Sequence, residues 1–126
     1  MQAKRPATAE RRRALFTEAA QIIERDYSDK LALDDVARRV ATSRRQLQRA
    51  FAEAGETSFR TYLQRVRMER AAELLLAGDS AVSEVASAVG YRQAAQFAKA
   101  FRRHHGAPPS TFRAGSGAPA LRPLAA

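Results

Sequence analysis

The chain has 126 residues, 22 Lys and Arg against 13 acidic residues for a net charge of +9, and no cysteine. That length bounds it to one compact domain or two very small ones, and the missing cysteines exclude disulfide frameworks, thiolate metal sites and cysteine nucleophiles. No apolar run approaches the ~18 residues of a membrane span, and the N-terminus lacks the apolar stretch of a secretory signal. The sequence therefore reads as a soluble, cytoplasmic protein whose partner is a polyanion: an acidic protein, a phospholipid surface or nucleic acid.

Charge is spread unevenly. Residues 1–13 carry Lys4, Arg5, Arg11, Arg12 and Arg13 against Glu10, and read as a basic tail. Residues 14–84 are close to neutral. No acidic residue follows Glu84, while Arg92, Lys99, Arg102, Arg103, Arg113 and Arg122 do.

Strand signals are nearly absent, and helical periodicity dominates throughout. A first helix is predicted from near Thr8 to about Tyr27, with Leu15, Ala19, Ile22 and Ile23 on one face. A short second helix starts near Leu33, with Asp34 and Asp35 in its first turn, where negative charge suits the dipole. Its apolar side is Leu33, Val36, Ala37 and Val40. After the break at Ala41-Thr42, the spacing Ser43-x-x-Gln46 matches a capping box and opens a third helix. Leu47 and Phe51 point that helix inward, and Gly55 stops it. Ser58 caps a segment from Phe59 to about Ala77, expected to bury Phe59, Leu63, Val66, Leu74 and Leu75. A helix of about 20 residues is roughly 30 Å long.

The earlier pattern then returns. Val36-Ala37-x-x-Val40 recurs as Val85-Ala86-x-x-Val89, and Leu47-x-x-Ala50-Phe51 as Phe97-x-x-Ala100-Phe101. The offset grows by one residue at the turn Gly90-Tyr91. This is a helix-turn-helix present twice. Pro108 to Arg113 suits one further short helix, and the Gly-, Ala- and Pro-rich residues 114–126 read as a disordered tail.

In a helix-turn-helix the second helix enters the DNA major groove. With Leu47 and Phe51 inward, Arg45, Gln48, Arg49 and Ala52 face outward; Arg can bond guanine bidentately and Gln adenine. In the second unit Arg92, Gln96, Lys99 and Arg103 form one stripe at helical spacing. Ala94 and Ala95 offer no hydrogen bonds, so that helix is expected to hold phosphate more than to read bases. Phosphate contacts are assigned to Ser43, Arg44, Arg92, Gln93, Arg102 and Arg103. The roughly 30 Å spacer compares with the ~34 Å repeat of major-groove faces on one side of a duplex.

The order Leu63-x-x-x-Arg67-x-x-x-Ala71-x-x-Leu74-Leu75, Val82-x-Glu84-Val85-Ala86-x-x-Val89-Gly90-Tyr91, Phe97-x-x-x-Phe101-Arg102, Gly106, Pro109 and Phe112-Arg113 resembles the DNA-binding domain of AraC/XylS-family bacterial transcription regulators. The resemblance covers about Leu15 to Arg113. It implies an all-α fold of seven helices, two helix-turn-helix subdomains joined by one long helix, with the third and sixth helices (about 43–54 and 92–104) in adjacent major-groove segments. The segments would be a tail at 1–13, a first subdomain at 14–56, the connecting helix at 57–78, a second subdomain at 79–113 and a tail at 114–126. The base readers would be Arg45, Gln48, Arg49, Ala94, Ala95, Gln96 and Lys99. Departures from the family pattern are Ala41 where the first turn lacks a glycine, the Ala94-Ala95 pair, and Lys99 in place of arginine. The length further implies a short stand-alone member, a monomer on double-stranded DNA in the nucleoid that activates transcription by touching RNA polymerase.

Catalysis has little support: no Gly-rich phosphate loop, no paired carboxylates and no Cys. Adjacent His104 and His105 point to different sides of a helix, which suits solvated or phosphate-facing histidines better than a metal pair. Neither a metal nor another cofactor is expected. The competing readings are a polymerase- or regulator-binding cofactor on the same fold, the DNA-binding domain of a larger effector-responsive regulator, and a non-specific nucleoid protein.

Overall fold

The computed structural model describes residues 4–113, with side chains from Thr8 onward; the tail expected at 114–126 lies outside the described residues. Six α-helices follow one another: α1 (Lys4–Asp26), α2 (Leu33–Arg39), α3 (Arg44–Ala54), α4 (Phe59–Ala77), α5 (Val82–Ala88) and α6 (Ala94–His105). The seventh helical element is a single 3-10 turn, Pro109–Phe112, in which the Thr111 N–H donates to the Pro108 carbonyl at 3.1 Å. No strand occurs among the described residues. The fold is all-α.

Helix α1 starts at Lys4, four residues ahead of the expected Thr8. Pro6 falls in its first turn, where a missing N–H forfeits no helical bond, and Ala7, Ala9 and Arg11 to Arg13 are good helix formers. From Lys4 onward, the segment expected as a basic tail is therefore helical.

The chain divides into two compact units, one ending at Gln64 and the other starting at Arg65. The division falls inside α4, whose residues contribute to both cores. In the first unit, Leu15, Ala19 and Ile23 of α1 are buried with Val36, Ala37, Val40, Leu47, Ala50, Phe51 and Leu63. Phe51 centres an aromatic cluster, with its ring centroid 5.1 Å from Phe16, 5.9 Å from Phe59 and 6.0 Å from Tyr62. The Tyr62 hydroxyl donates to Glu24 at 3.0 Å.

Gly55 does end α3, but not through conformational freedom. Its φ is an ordinary −99°. What requires a glycine is Phe16: a Cβ at position 55 would lie 2.4 Å from its Cε1.

The second unit buries Val66, Met68, Ala71, Ala72 and Leu75 of α4 with Val85, Ala86, Val89, Phe97, Ala100, Phe101 and Phe112. Leu74, expected in the core, is 36% exposed. Successive helical residues are 100° apart, so turning Leu75 inward leaves Leu74 at the edge.

Candidate nucleic-acid interface

Both units build the same turn from the same hydrogen bonds. In the first, the N–H groups of Val40, Ala41 and Thr42 donate to the carbonyls of Val36, Arg38 and Ala37 at 3.0, 3.1 and 2.9 Å. In the second, Val89, Gly90 and Tyr91 donate to Val85, Ser87 and Ala86 at 3.0, 3.1 and 2.9 Å. Each turn has one left-handed residue, Ala41 (φ 57°) and Gly90 (φ 97°). For alanine that conformation costs about 1–2 kcal/mol, so packing on both sides maintains the first turn despite strain.

The extra residue of the second unit is Arg92. Ser43 caps α3 directly after Thr42, its Oγ accepting from the Gln46 N–H at 3.1 Å. In the second unit Arg92 intervenes between Tyr91 and Gln93, the residue that precedes α6. Arg92 and Gln93 therefore lie ahead of the helix, and the helical stripe expected from Arg92 begins only at Gln96.

On α3, Leu47, Ala50 and Phe51 are buried, while Arg45, Gln48, Arg49 and Ala52 are exposed, as are Ser43 and Arg44 at the start. Surrounding arginines are held by carboxylates. Arg44 meets Asp34 of α2 at 3.4 Å, Arg39 meets Asp26 at 2.8 Å, and Arg38 pairs with Asp35. Asp26, bonded by Arg25 and Arg39, is held below the usual carboxylate range. Arg45 and Arg49 have no ion-pair partner among the described residues. Two unneutralised guanidiniums and a glutamine amide thus share the outer face.

On α6, Phe97, Ala100 and Phe101 are buried and Ala94, Ala95, Gln96, Lys99, Arg102 and Arg103 are exposed. Arg92, Lys99, Arg102 and Arg103 form no ion pair among the described residues, consistent with a sequence that has no acid beyond Glu84. Half-buried Arg67 braces the turn from α4. Its guanidinium lies 5.9 Å from the Tyr91 ring centroid and would sit 3.2 Å from any Cβ at Gly90.

Neither histidine reading from the sequence describes His105. It is half-buried, with its ring centroid 4.3 Å from that of Phe101 and 5.2 Å from that of Phe112. With Nε2 protonated it donates to the Met68 carbonyl at 3.0 Å, while Nδ1 is buried without a partner among the described residues. This is a packing residue between α4, α6 and the 3-10 turn. Burial lowers its pKa from 6.5, against the Met68 bond and Glu69; burial, His105 and Arg65 lower that of His104. Between those depressed values and 6.5 the unfolded chain binds more protons than the folded one, so stability falls as pH drops through that window. Thermal melts from pH 7.5 to 5 should show Tm declining. In a His104→Gln/His105→Gln variant the decline should shrink; an unchanged pH profile would contradict this reading.

Residues 36–115 match the family described as "Helix-turn-helix domain". A transcriptional regulator structure from Chromobacterium violaceum, described as an AraC-type DNA-binding domain-containing protein, is 30% identical at a TM-score of 0.78, covering 84% of this chain and 95% of that one. The chain belongs to the AraC-type helix-turn-helix family. It is a DNA-binding domain of the kind that transcription regulators carry, and the relatives it matches are regulators rather than enzymes. The C-terminal domain of AraT, a response regulator from Geobacillus stearothermophilus, is 34% identical at a TM-score of 0.75, over 79% of this chain and 83% of that one. The Msm operon regulatory protein of Streptococcus mutans is 31% identical over 101 residues, 80% of this chain. The chain spans 36% of that regulator's length, about a third of the curated relatives it matches. No described helix is long and apolar enough to cross a membrane.

Proposed function

We propose that this chain binds double-stranded DNA sequence-specifically as a monomeric transcription activator, inserting α3 and α6 into adjacent major-groove segments. The observation that carries the proposal is the pair of helix-turn-helix units, each presenting on its second helix exposed basic side chains, Arg45 and Arg49 on α3 and Lys99, Arg102 and Arg103 on α6, that have no acidic partner among the described residues. On α3 the base readers are Arg45, Gln48 and Arg49, with Ser43 and Arg44 on phosphate; Arg44 exchanges Asp34 for a phosphate oxygen. On α6, Ala94 and Ala95 provide apolar contact and Gln96 and Lys99 provide polar contact. Arg92, Gln93, Arg102 and Arg103 hold the backbone. The second helix supplies more of the sequence-independent attraction and the first more of the discrimination, because each bidentate Arg or Gln contact contributes about 1–3 kcal/mol of base preference and alanine contributes none of that kind. Activation through RNA polymerase, in the cytoplasm and on the nucleoid, completes the reading.

Selection from a pool of random duplexes tests it. An enriched sequence should outcompete random duplex by at least about 10³-fold at physiological salt. Equal affinity for enriched and random duplexes would mean that net charge alone drives binding. Retention by RNA polymerase without any duplex preference would favour the cofactor reading.

A further inference from the structure

We infer that Arg12 of α1 is a positioning residue for DNA recognition, sequestering Glu53 so that Arg49 stays available to a base. The inference rests on the proposed role of Arg49 as a reader. Glu53 stands one helical turn beyond Arg49 on α3, at the i,i+4 spacing at which arginine and glutamate side chains pair. It is the acidic residue of α3 itself, since Arg44–Ala54 contains no other. Its carboxylate is nevertheless taken by the Arg12 Nη1 from a helix 41 residues earlier in sequence.

Arg12 is placed at an energetic disadvantage. Its side chain is 17% exposed, and its Nε–H is buried without an acceptor among the described residues. A buried unsatisfied donor destabilises the fold, and an apolar residue between α1 and α3 would avoid that cost. The guanidinium at this point does something packing does not require: it neutralises a carboxylate on the flank of the recognition helix. Left unpaired, Glu53 would both capture Arg49 and repel the phosphates that border the groove. The same arrangement surrounds the start of α3, where Arg44, Arg38 and Arg39 occupy Asp34, Asp35 and Asp26. Every carboxylate named here is matched with a cation other than Arg45 or Arg49.

The test compares wild type, Arg12→Gln, Glu53→Gln, Arg12→Gln/Glu53→Gln and Arg49→Ala on an enriched duplex and on random duplex. Arg12→Gln should weaken binding to the enriched duplex by about two- to fivefold, a smaller loss than that of Arg49→Ala. Glu53→Gln should bind at least as tightly as wild type, and the double variant should recover wild-type affinity. A purely structural or direct phosphate role for Arg12 predicts no such recovery, and equal losses in the single and double variants would overturn the inference. Wild type without preference for the enriched duplex would overturn the reader role itself. Should Arg12→Gln fail to fold, the guanidinium NMR signals of Arg49 in free wild type decide instead. Fast rotation about Nε–Cζ supports an unpaired Arg49, and hindered rotation sinks the idea.

Discussion

Phe51→Ala should cost about 3–5 kcal/mol of unfolding free energy, measured as a lowered urea midpoint. Phe51 is fully buried, and its ring makes edge-on contacts with Phe16, Phe59 and Tyr62 at centroid distances between 5.1 and 6.0 Å. Those partners come from α1 and α4, so one side chain joins three helices of the first unit. Truncation removes its transfer free energy and leaves a cavity that rigid aromatic neighbours cannot close. A loss of that size is a large fraction of the 5–15 kcal/mol that holds a typical domain. DNA binding should fall with it, because Phe51 is the inward counterpart of the Arg45 and Arg49 face. A midpoint within experimental error of wild type would mean that the aromatic cluster does not hold α3.

Arg45→Ala and Arg49→Ala should each cost about 1–3 kcal/mol of specific binding and relax base preference at one position of the site. Their urea midpoints should stay near wild type, since both side chains are exposed and without ion-pair partners among the described residues. Arg92→Ala and Arg102→Ala should behave differently. They should weaken binding to all duplexes alike and reduce the slope of log affinity against log salt by about one each, the result expected of a phosphate-contacting side chain and its released counterions. If Arg45→Ala lowered affinity equally for enriched and random duplexes, base readout by α3 would be wrong.

Much of this architecture was legible because it is local and repeated. Val36, Ala37 and Val40 map onto Val85, Ala86 and Val89, and all six are buried, as are Leu47, Ala50 and Phe51 with Phe97, Ala100 and Phe101. Helical periodicity records those positions directly. The Ser43 cap was equally local, needing only a hydroxyl three residues ahead of an N–H. What escaped the sequence depends on contacts between distant segments. The need for glycine at position 55 comes from the Phe16 ring, the burial of His105 from Phe112 and the Met68 carbonyl, and the Arg12–Glu53 pair from the packing of α1 on α3. No periodicity encodes these. Leu74 and Leu75 show the same limit at short range: the two side chains leave the helix about 100° apart, and tertiary packing covers Leu75 and leaves Leu74 36% exposed. Arg92 was misplaced onto a helix because a one-residue insertion shifts the frame without changing composition.

Insertion of α3 and α6 into adjacent major-groove segments is tested by a base-resolved footprint of the wild-type protein on its enriched duplex, with guanine N7 methylation interference reporting major-groove contact. Two patches of interference are expected about one helical turn apart on one side of the duplex, the α3 patch lost in Arg45→Ala/Arg49→Ala and the other retained. A single patch unaffected by those substitutions, or no interference at any guanine N7 of the footprint, would contradict that insertion.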